Sequence, residues 1–352
     1  MTEETKVTNP SRSTDFLPKQ NPTLDILWGD SITALMRRND VNEIYINEDG
    51  YVWYDSHTEG KVKSDIYLSP AKARVIIEAV AGQVQKIVNE DIPSISAEVS
   101  GYGARFQGEL PPIVRNPEFN IRKKAIKIFT LEDYVKNRTL SEKYKDYLIN
   151  AVKKRKNILV VGGTGTGKTT FLNATLDAIS KLTPFHRIIS LEDTPELQCS
   201  APDYSAMYTK QDVGDTKFPP YDMTRLLADC MRRSPDRIVV GEVRDGCAYA
   251  MLKAWNTGHE GGCCTVHANS AEQGLDRIES LCYENKTCAG DVRRLIGEAI
   301  DVVVSIVYVR SSNGKKGRVI DDIIEVSSFD RGTQKYILHH IPNDPSFVGP
   351  TG

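Results

Sequence analysis

Gly162 to Thr169 read GGTGTGKT, the order G-x-x-x-x-G-K-[ST]. Glycines at those positions let a backbone curl its N–H groups towards phosphate, and the lysine and hydroxyl that follow complete an anion and metal site. Lys168 is expected to reach the β- and γ-phosphates and Thr169 to coordinate Mg²⁺. The expected nucleotide contacts are therefore Gly162, Gly163, Thr164, Gly165, Thr166, Gly167, Lys168, Thr169 and Thr170. The cofactors implied are ATP and Mg²⁺. The bland alternative, a chance glycine-rich turn before a helix, is disfavoured because the motif is complete and sits between a strand pattern and a helix pattern.

Hydrolysis needs carboxylates near that loop. RIVVGEVRD, Arg237 to Asp245, has the form of a buried strand that delivers one. The usual magnesium aspartate position holds Gly241, and Glu242 follows, so Glu242 is the candidate for orienting or deprotonating the attacking water. LEDTPEL, Leu191 to Leu197, ends another strand. Glu192 is a candidate second carboxylate beside Mg²⁺, compensating for the missing aspartate, while Asp193-Thr194-Pro195 has turn chemistry.

The stretch TGHEGGCCTVHANSA, Thr257 to Ala271, holds two histidines and two cysteines. Structural zinc wants paired ligands at spacings such as C-x₂₋₄-C and H-x₃₋₅-H. Here the cysteines are adjacent, and neighbouring strand residues point to opposite faces. Cys263 and Cys264 read instead as small packing residues. His267 closes a predicted strand, where nucleotide phosphates lie in a parallel sheet, and is placed to sense γ-phosphate. His259 follows a helix and serves either the site or the helix end.

Elements must bring these residues together. PTLDILWGDSITALMRR has helix-spaced apolar residues. EIYINEDGYVWYD alternates around Asp49-Gly50 as a hairpin does. SPAKARVIIEAVAGQVQKIV reads as a helix with Ser69 as N-cap and Pro70 in its first turn. Strands are expected around GARFQGEL and EFNIRKKA. These make a smaller N-terminal α+β domain over 21–125, after a flexible polar tail over 1–20. Residues 126–140 read as a linker, followed by a helix. NILVV, RIISLED, RIVVGEVRD and GCCTVHA are short apolar runs with helical stretches between them. That alternation predicts an α/β domain over 141–341, with a largely parallel sheet and ligands at the carboxyl ends of its strands. DVVVSIVYVR, RVIDDIIEVSSFD and KYILHHI are expected to extend the sheet as antiparallel strands, with a loose tail over 342–352.

Composition narrows the class. The formal net charge of −2 gives no global basic field for nucleic acid. No apolar run reaches the ~18 residues of a membrane helix. The first residues lack a basic region followed by an apolar one, so no secretory signal is read there. Seven cysteines without framework spacing read as reduced cytoplasmic thiols.

Taken in order, GGTGTGKT, LEDTPEL, VVGEVRD and TGHEGGCCTVHANSA closely resemble the Walker A, Asp box, Walker B and His box of the secretion ATPase superfamily. Gly-Glu is a habit of that family's Walker B, so Gly241 departs only from NTPases at large. EDTPELQC and the run Leu226 to Gly246 look most like the conjugal-transfer ATPases of the TrbB type. The resemblance spans about 25–335. It implies a C-terminal RecA-like P-loop ATPase domain and a homo-hexameric ring. That ring would be cytoplasmic and peripheral on the inner face of the bacterial inner membrane. Its expected partners are membrane proteins of the secretion or conjugation machinery, including other ATPases. The family's phosphate-touching arginines match Arg105 in GYGARFQ and Arg122 in FNIRKKA, and these are carried as catalytic candidates with Glu242, Glu192 and His267. Arg232 and Arg233 are either interface residues or a basic helix end. The run Lys153 to Lys156 reads as a solvated helix terminus.

The implied function is ATP-driven motion that powers type IV secretion, conjugative DNA transfer or pilus biogenesis. A type II secretion or type IV pilus motor is the alternative in the same superfamily, weakened by the lack of any C-x₂-C pair. A nucleotide-gated scaffold with little turnover would not need Glu192, Glu242 and His267. A DNA helicase or packaging motor would be expected to show basic or aromatic strand-binding loops.

Overall fold

The computed structural model describes residues 21–56, 58–123, 128–210, 220–310 and 316–350. They form two compact units that divide at residues 126/127.

The first unit runs α1 (Pro22–Arg37), β1 (Val41–Ile46), β2 (Tyr51–Ser56), β3 (Gly60–Tyr67), α2 (Pro70–Gln83), β4 (Ser94–Val99), β5 (Ala104–Glu109) and β6 (Glu118–Arg122). Its six strands make an antiparallel sheet in the order β3-β2-β1-β6-β5-β4. One face of the sheet is apolar and buries Ile44, Phe106, Phe119 and Ile121 with Leu24 and Trp28 of α1 and Ile76 and Ile77 of α2. Local chemistry starts both helices: Asn21 and Ser69 accept from the N–H groups of Leu24 and Lys72, and each helix opens on proline. α2 stops at Gln83, short of the apolar periodicity, which continues to Val88. Two strands lacked a clear signal: β3 has no buried residue, and β4 buries only Ile95 and Val99.

The second unit runs α3 (Leu131–Lys136), α4 (Glu142–Lys153), β7 (Ile158–Gly162), α5 (Lys168–Leu182), β8 (Ile188–Glu192), β9 (Tyr204–Tyr208), α6 (Met223–Met231), β10 (Arg237–Val240), α7 (Cys247–Trp255), β11 (Cys263–His267), α8 (Ala271–Tyr283), α9 (Val292–Ala299), β12 (Val302–Arg310), β13 (Lys316–Asp330) and β14 (Lys335–His340). The sheet order is β14-β13-β12-β7-β11-β10-β8-β9. The strands from β12 to β9 lie parallel; β13 and β14 are antiparallel. Both faces are covered, which is why the central strands read as continuous apolar runs. Leu159 and Val161 of β7 face a core shared with α6, α7, α8 and α9, whereas Ile158 and Val160 face one shared with α3, α4 and α5.

Three expectations are corrected here. The stretch 126–140 is not simply a linker: α3 lies within it, opened by a capping box between Thr130 and Asp133, and buries Leu131 and Tyr134 in the second unit's core. β12 is not antiparallel to its neighbour β7. It follows α9, so the chain crosses over the sheet and re-enters parallel. The basic run 153–156 is more than a solvated terminus: Arg155 donates to the Asp236 and Glu260 carbonyls at 2.8 and 3.3 Å, and Lys156 pairs with Glu325. Residues 341–350 contain no helix or strand.

Candidate active site

The expected phosphate loop joins β7 to α5, and the parallel register aligns its neighbours. His267 lies opposite Gly162 across β11 and β7. Leu191 lies opposite Val240 across β8 and β10, so Glu192 and Gly241 follow side by side. The carboxyl ends of these strands thus converge on one place, as the doubly covered parallel sheet requires.

Within the loop, Gly165 and Gly167 have φ of +74° and +97°, a left-handed backbone that favours glycine. Lys168 is buried, and its Nζ donates to the carbonyls of Gly162 and Gly163, both at 3.0 Å. It also lies 3.2 Å from Nδ1 of His267. An ammonium only donates, so Nδ1 accepts and the ring proton belongs on Nε2. Nε2 is 3.1 Å from Oε1 of Glu242. The other carboxylate oxygen accepts from Arg244 at 2.5 Å. A continuous chain therefore links the loop lysine, the end of β11, the carboxylate after β10 and an arginine.

The electrostatics follow from that chain. Burial pushes the His267 imidazole below its ordinary pKa, the Lys168 charge pushes it further, and Glu242 opposes them. Burial raises the Glu242 carboxyl, but the Arg244 hydrogen bond and the charges of Arg244, His267 and Lys168 outweigh it, leaving Glu242 below its usual range. At neutral pH the pair is a neutral imidazole donating to an ionised carboxylate.

Glu192 is 2% exposed, and its Oε1 accepts from the backbone N–H of Glu196 and Leu197 at 2.8 and 2.7 Å. It lies against Gly241, whose missing Cβ would meet Glu192 Cγ at 3.1 Å. Asp193 accepts from the Thr209 hydroxyl at 2.9 Å, a loop-building contact. Thr169 and Thr170 stand in the first turn of α5, half-buried.

Cys263 and Cys264 are fully buried on opposite faces of the sheet. His259 lies beyond α7, and its Nδ1 is 3.0 Å from the Pro235 carbonyl; the α7 end is closed instead by the Thr257 hydroxyl. Arg232 pairs with Asp229 and Arg233 donates to Ser205. Arg105 and Arg122 sit directly opposite each other on β5 and β6, beside residues that face the first unit's core, and they are half-buried and exposed.

Three residues at or near the loop escaped the sequence reading. Arg244 carried a weak signal, two places after Glu242 on the strand end. Tyr308 and Arg318, which reach the phosphate loop from β12 and β13, carried none, because their link to it is non-local.

Comparison with known proteins adds a second line. The family model described as type II/IV secretion system protein matches residues 64–336. The chain is 39% identical over 301 residues to the conjugal transfer protein TrbB of Rhizobium radiobacter, spanning 86% of this chain and 88% of that one. It is 28% identical over 313 residues to the type IV secretion system protein PtlH of Bordetella pertussis, spanning 81% and 91%. The solved pilus retraction motor PilT with bound ADP has the same fold, with a TM-score of 0.58 at 20% identity over 92% of this chain and 83% of that one.

Proposed function

The chain belongs to the type II/IV secretion system protein family, and from that membership we propose that it is an ATP hydrolase powering type IV secretion or conjugative transfer. The observation that carries the reading is the Lys168–His267–Glu242 chain, which ties the phosphate loop to the hydrolytic carboxylate.

Incoming γ-phosphate competes with the Gly162 and Gly163 carbonyls and His267 for the Lys168 ammonium. His267 thereby registers the phosphate, and its hold on Glu242 changes with nucleotide state. Glu242 takes the proton of the attacking water as the new bond to phosphorus forms. The bond from phosphorus to the β–γ bridging oxygen breaks, and ADP leaves with that electron pair. Thr169 and Glu192 would hold Mg²⁺; the oxygens of the N–H-anchored Glu192 carboxyl fit a hard cation. When bound, the ion neutralises phosphate charge.

Arg105 and Arg122 are proposed to contact γ-phosphate, in the same subunit or a neighbouring one. Their cross-strand pairing supports this, since it offers two guanidinium groups from adjoining strands. The working assembly is proposed to be a homo-hexamer, cytoplasmic and peripheral at the inner membrane, serving membrane-embedded machinery. Among the described residues no helix is long and apolar enough to cross a membrane.

The test is ATP turnover against protein concentration, with assembly mass followed on the same samples. Turnover should rise with assembly and vanish in Lys168→Ala. Arg105→Ala and Arg122→Ala should each lower it by about 10³-fold or more if they act on transition-state charge. Turnover independent of assembly, or unchanged in both arginine variants, rejects the shared-site reading.

A further inference from the structure

The phosphate loop is held on two sides. On the β11 side Lys168 meets His267. On the β12 side the partners are Tyr308 and Arg318, opposed in register across β12 and β13. The Tyr308 hydroxyl donates to the Gly165 carbonyl at 2.5 Å, and Arg318 Nη2 donates to the same oxygen at 3.3 Å. The guanidinium lies 5.6 Å from the Tyr308 ring centroid, so ring and cation order each other.

The loop's glycines make room for this grip. A Cβ on Gly165 would lie 3.1 Å from the Tyr308 hydroxyl, and one on Gly167 would lie 3.6 Å from Arg318 Cδ. Thr164 and Gly165 are exposed at the loop tip. A glycine-rich tip has more conformational freedom to lose than any other segment. Holding its carbonyl from a rigid sheet removes that freedom before nucleotide arrives. Arg318 Nε is buried with no hydrogen-bond partner among the described residues. A desolvated donor is costly, and that cost is set against the hold that Nη2 has on the loop.

We propose that Tyr308 and Arg318 are positioning residues for nucleotide binding, which hold the phosphate loop in its binding-competent shape through the Gly165 carbonyl. The proposal rests on the loop being the phosphate site. Apparent affinity scales with the competent fraction, so a loop competent one-tenth of the time loses about tenfold in affinity. The loss should fall on binding and KM rather than kcat, because both residues act on the Gly165 carbonyl, whereas Glu242 is reached through Lys168 and His267.

The experiment uses the full chain with Tyr308→Phe, Arg318→Gln and Arg318→Lys, reading ATP affinity with a fluorescent ATP analogue, KM, kcat and thermal unfolding. Tyr308→Phe and Arg318→Gln should each raise Kd and KM by about tenfold, and Arg318→Lys should recover part of the loss. In the nucleotide-free chain, hydrogen exchange of the segment 163–167 should quicken in Tyr308→Phe, a readout that holds whether or not Arg318→Gln folds well. Unchanged Kd and unchanged exchange in Tyr308→Phe overturn the proposal, as does a fall in kcat at constant KM. Lys168→Ala separates the two failures: if it binds ATP like wild type, the phosphate-site reading is what has failed.

Discussion

The Cβ that Gly241 lacks would stand 3.1 Å from Cγ and 3.6 Å from Oε1 of Glu192. Glu192 cannot swing away cheaply, because Oε1 accepts two backbone N–H groups. An aspartate at 241 and the anchored glutamate at 192 would compete for one space. Gly241 is thus the steric counterpart of the buried carboxylate on the next strand. Gly241→Ala should destabilise the protein by about 1–3 kcal/mol through overpacking and lower turnover by displacing Glu192. Denaturant unfolding and phosphate release check both; wild-type values in each reject the coupling.

The two carboxylates should separate by readout. Glu242→Gln should lower turnover by about 10²-fold or more, the usual worth of a general base, with ATP affinity kept. Glu192→Gln can still accept the Glu196 and Leu197 N–H groups but replaces the second carboxyl oxygen with an amide nitrogen. It should fold and need more Mg²⁺ for half-maximal turnover. Equal Mg²⁺ requirements in Glu192→Gln and wild type would remove Glu192 from the metal role.

The His267 ring gives a pH test. Burial and then Lys168 lower its pKa. A lowered value means the ring stays neutral as pH falls past about 6.5, where a free histidine is half protonated. The Lys168–His267–Glu242 chain needs a neutral ring and so persists at pH 7, being lost only at more acid pH. NMR titration should place the His267 midpoint below about 6.5, and Lys168→Ala should move it upward by removing the nearest cation. A wild-type midpoint above that value contradicts the neutral ring that the chain requires.

Arg237 carries a stability prediction. It opens β10, is fully buried, and donates to His186 Nδ1 and the Gly261 and Val152 carbonyls at 3.0, 2.8 and 2.9 Å. Burial pushes its guanidinium down to about 10, so it remains charged at neutral pH. Arg237→Met would orphan those acceptors at a cost of about 2–5 kcal/mol. The site at the other end of β10 should be spared, so ATP affinity per folded molecule should hold. A variant as stable as wild type would show that water replaces the guanidinium.

Much of the fold was legible because its signals are local. The glycine-rich turn, the helix caps at Asn21 and Ser69, and the apolar runs of β7, β8, β10 and β11 are set by neighbours within a few residues. β3, β4 and the edge strand β9 were not, since a strand with few buried residues leaves little pattern to read. α3 reads as linker in the sequence because a helix of 6 residues is too short to show a period.

The sequence by itself determined which residues are candidates for chemistry: a glycine-rich loop, two strand-end carboxylates and a strand-end histidine, in an order resembling the secretion ATPases. Only the tertiary structure decided how they act on one another. Strand register brought His267 between Lys168 and Glu242 and assigned its tautomer. Neighbouring strands set Glu192 against Gly241. The β12–β13 pairing delivered Tyr308 and Arg318 to a carbonyl more than a hundred residues earlier. Motifs are written in covalent neighbours, whereas contacts between strands depend on sheet order and register, which no local spacing records.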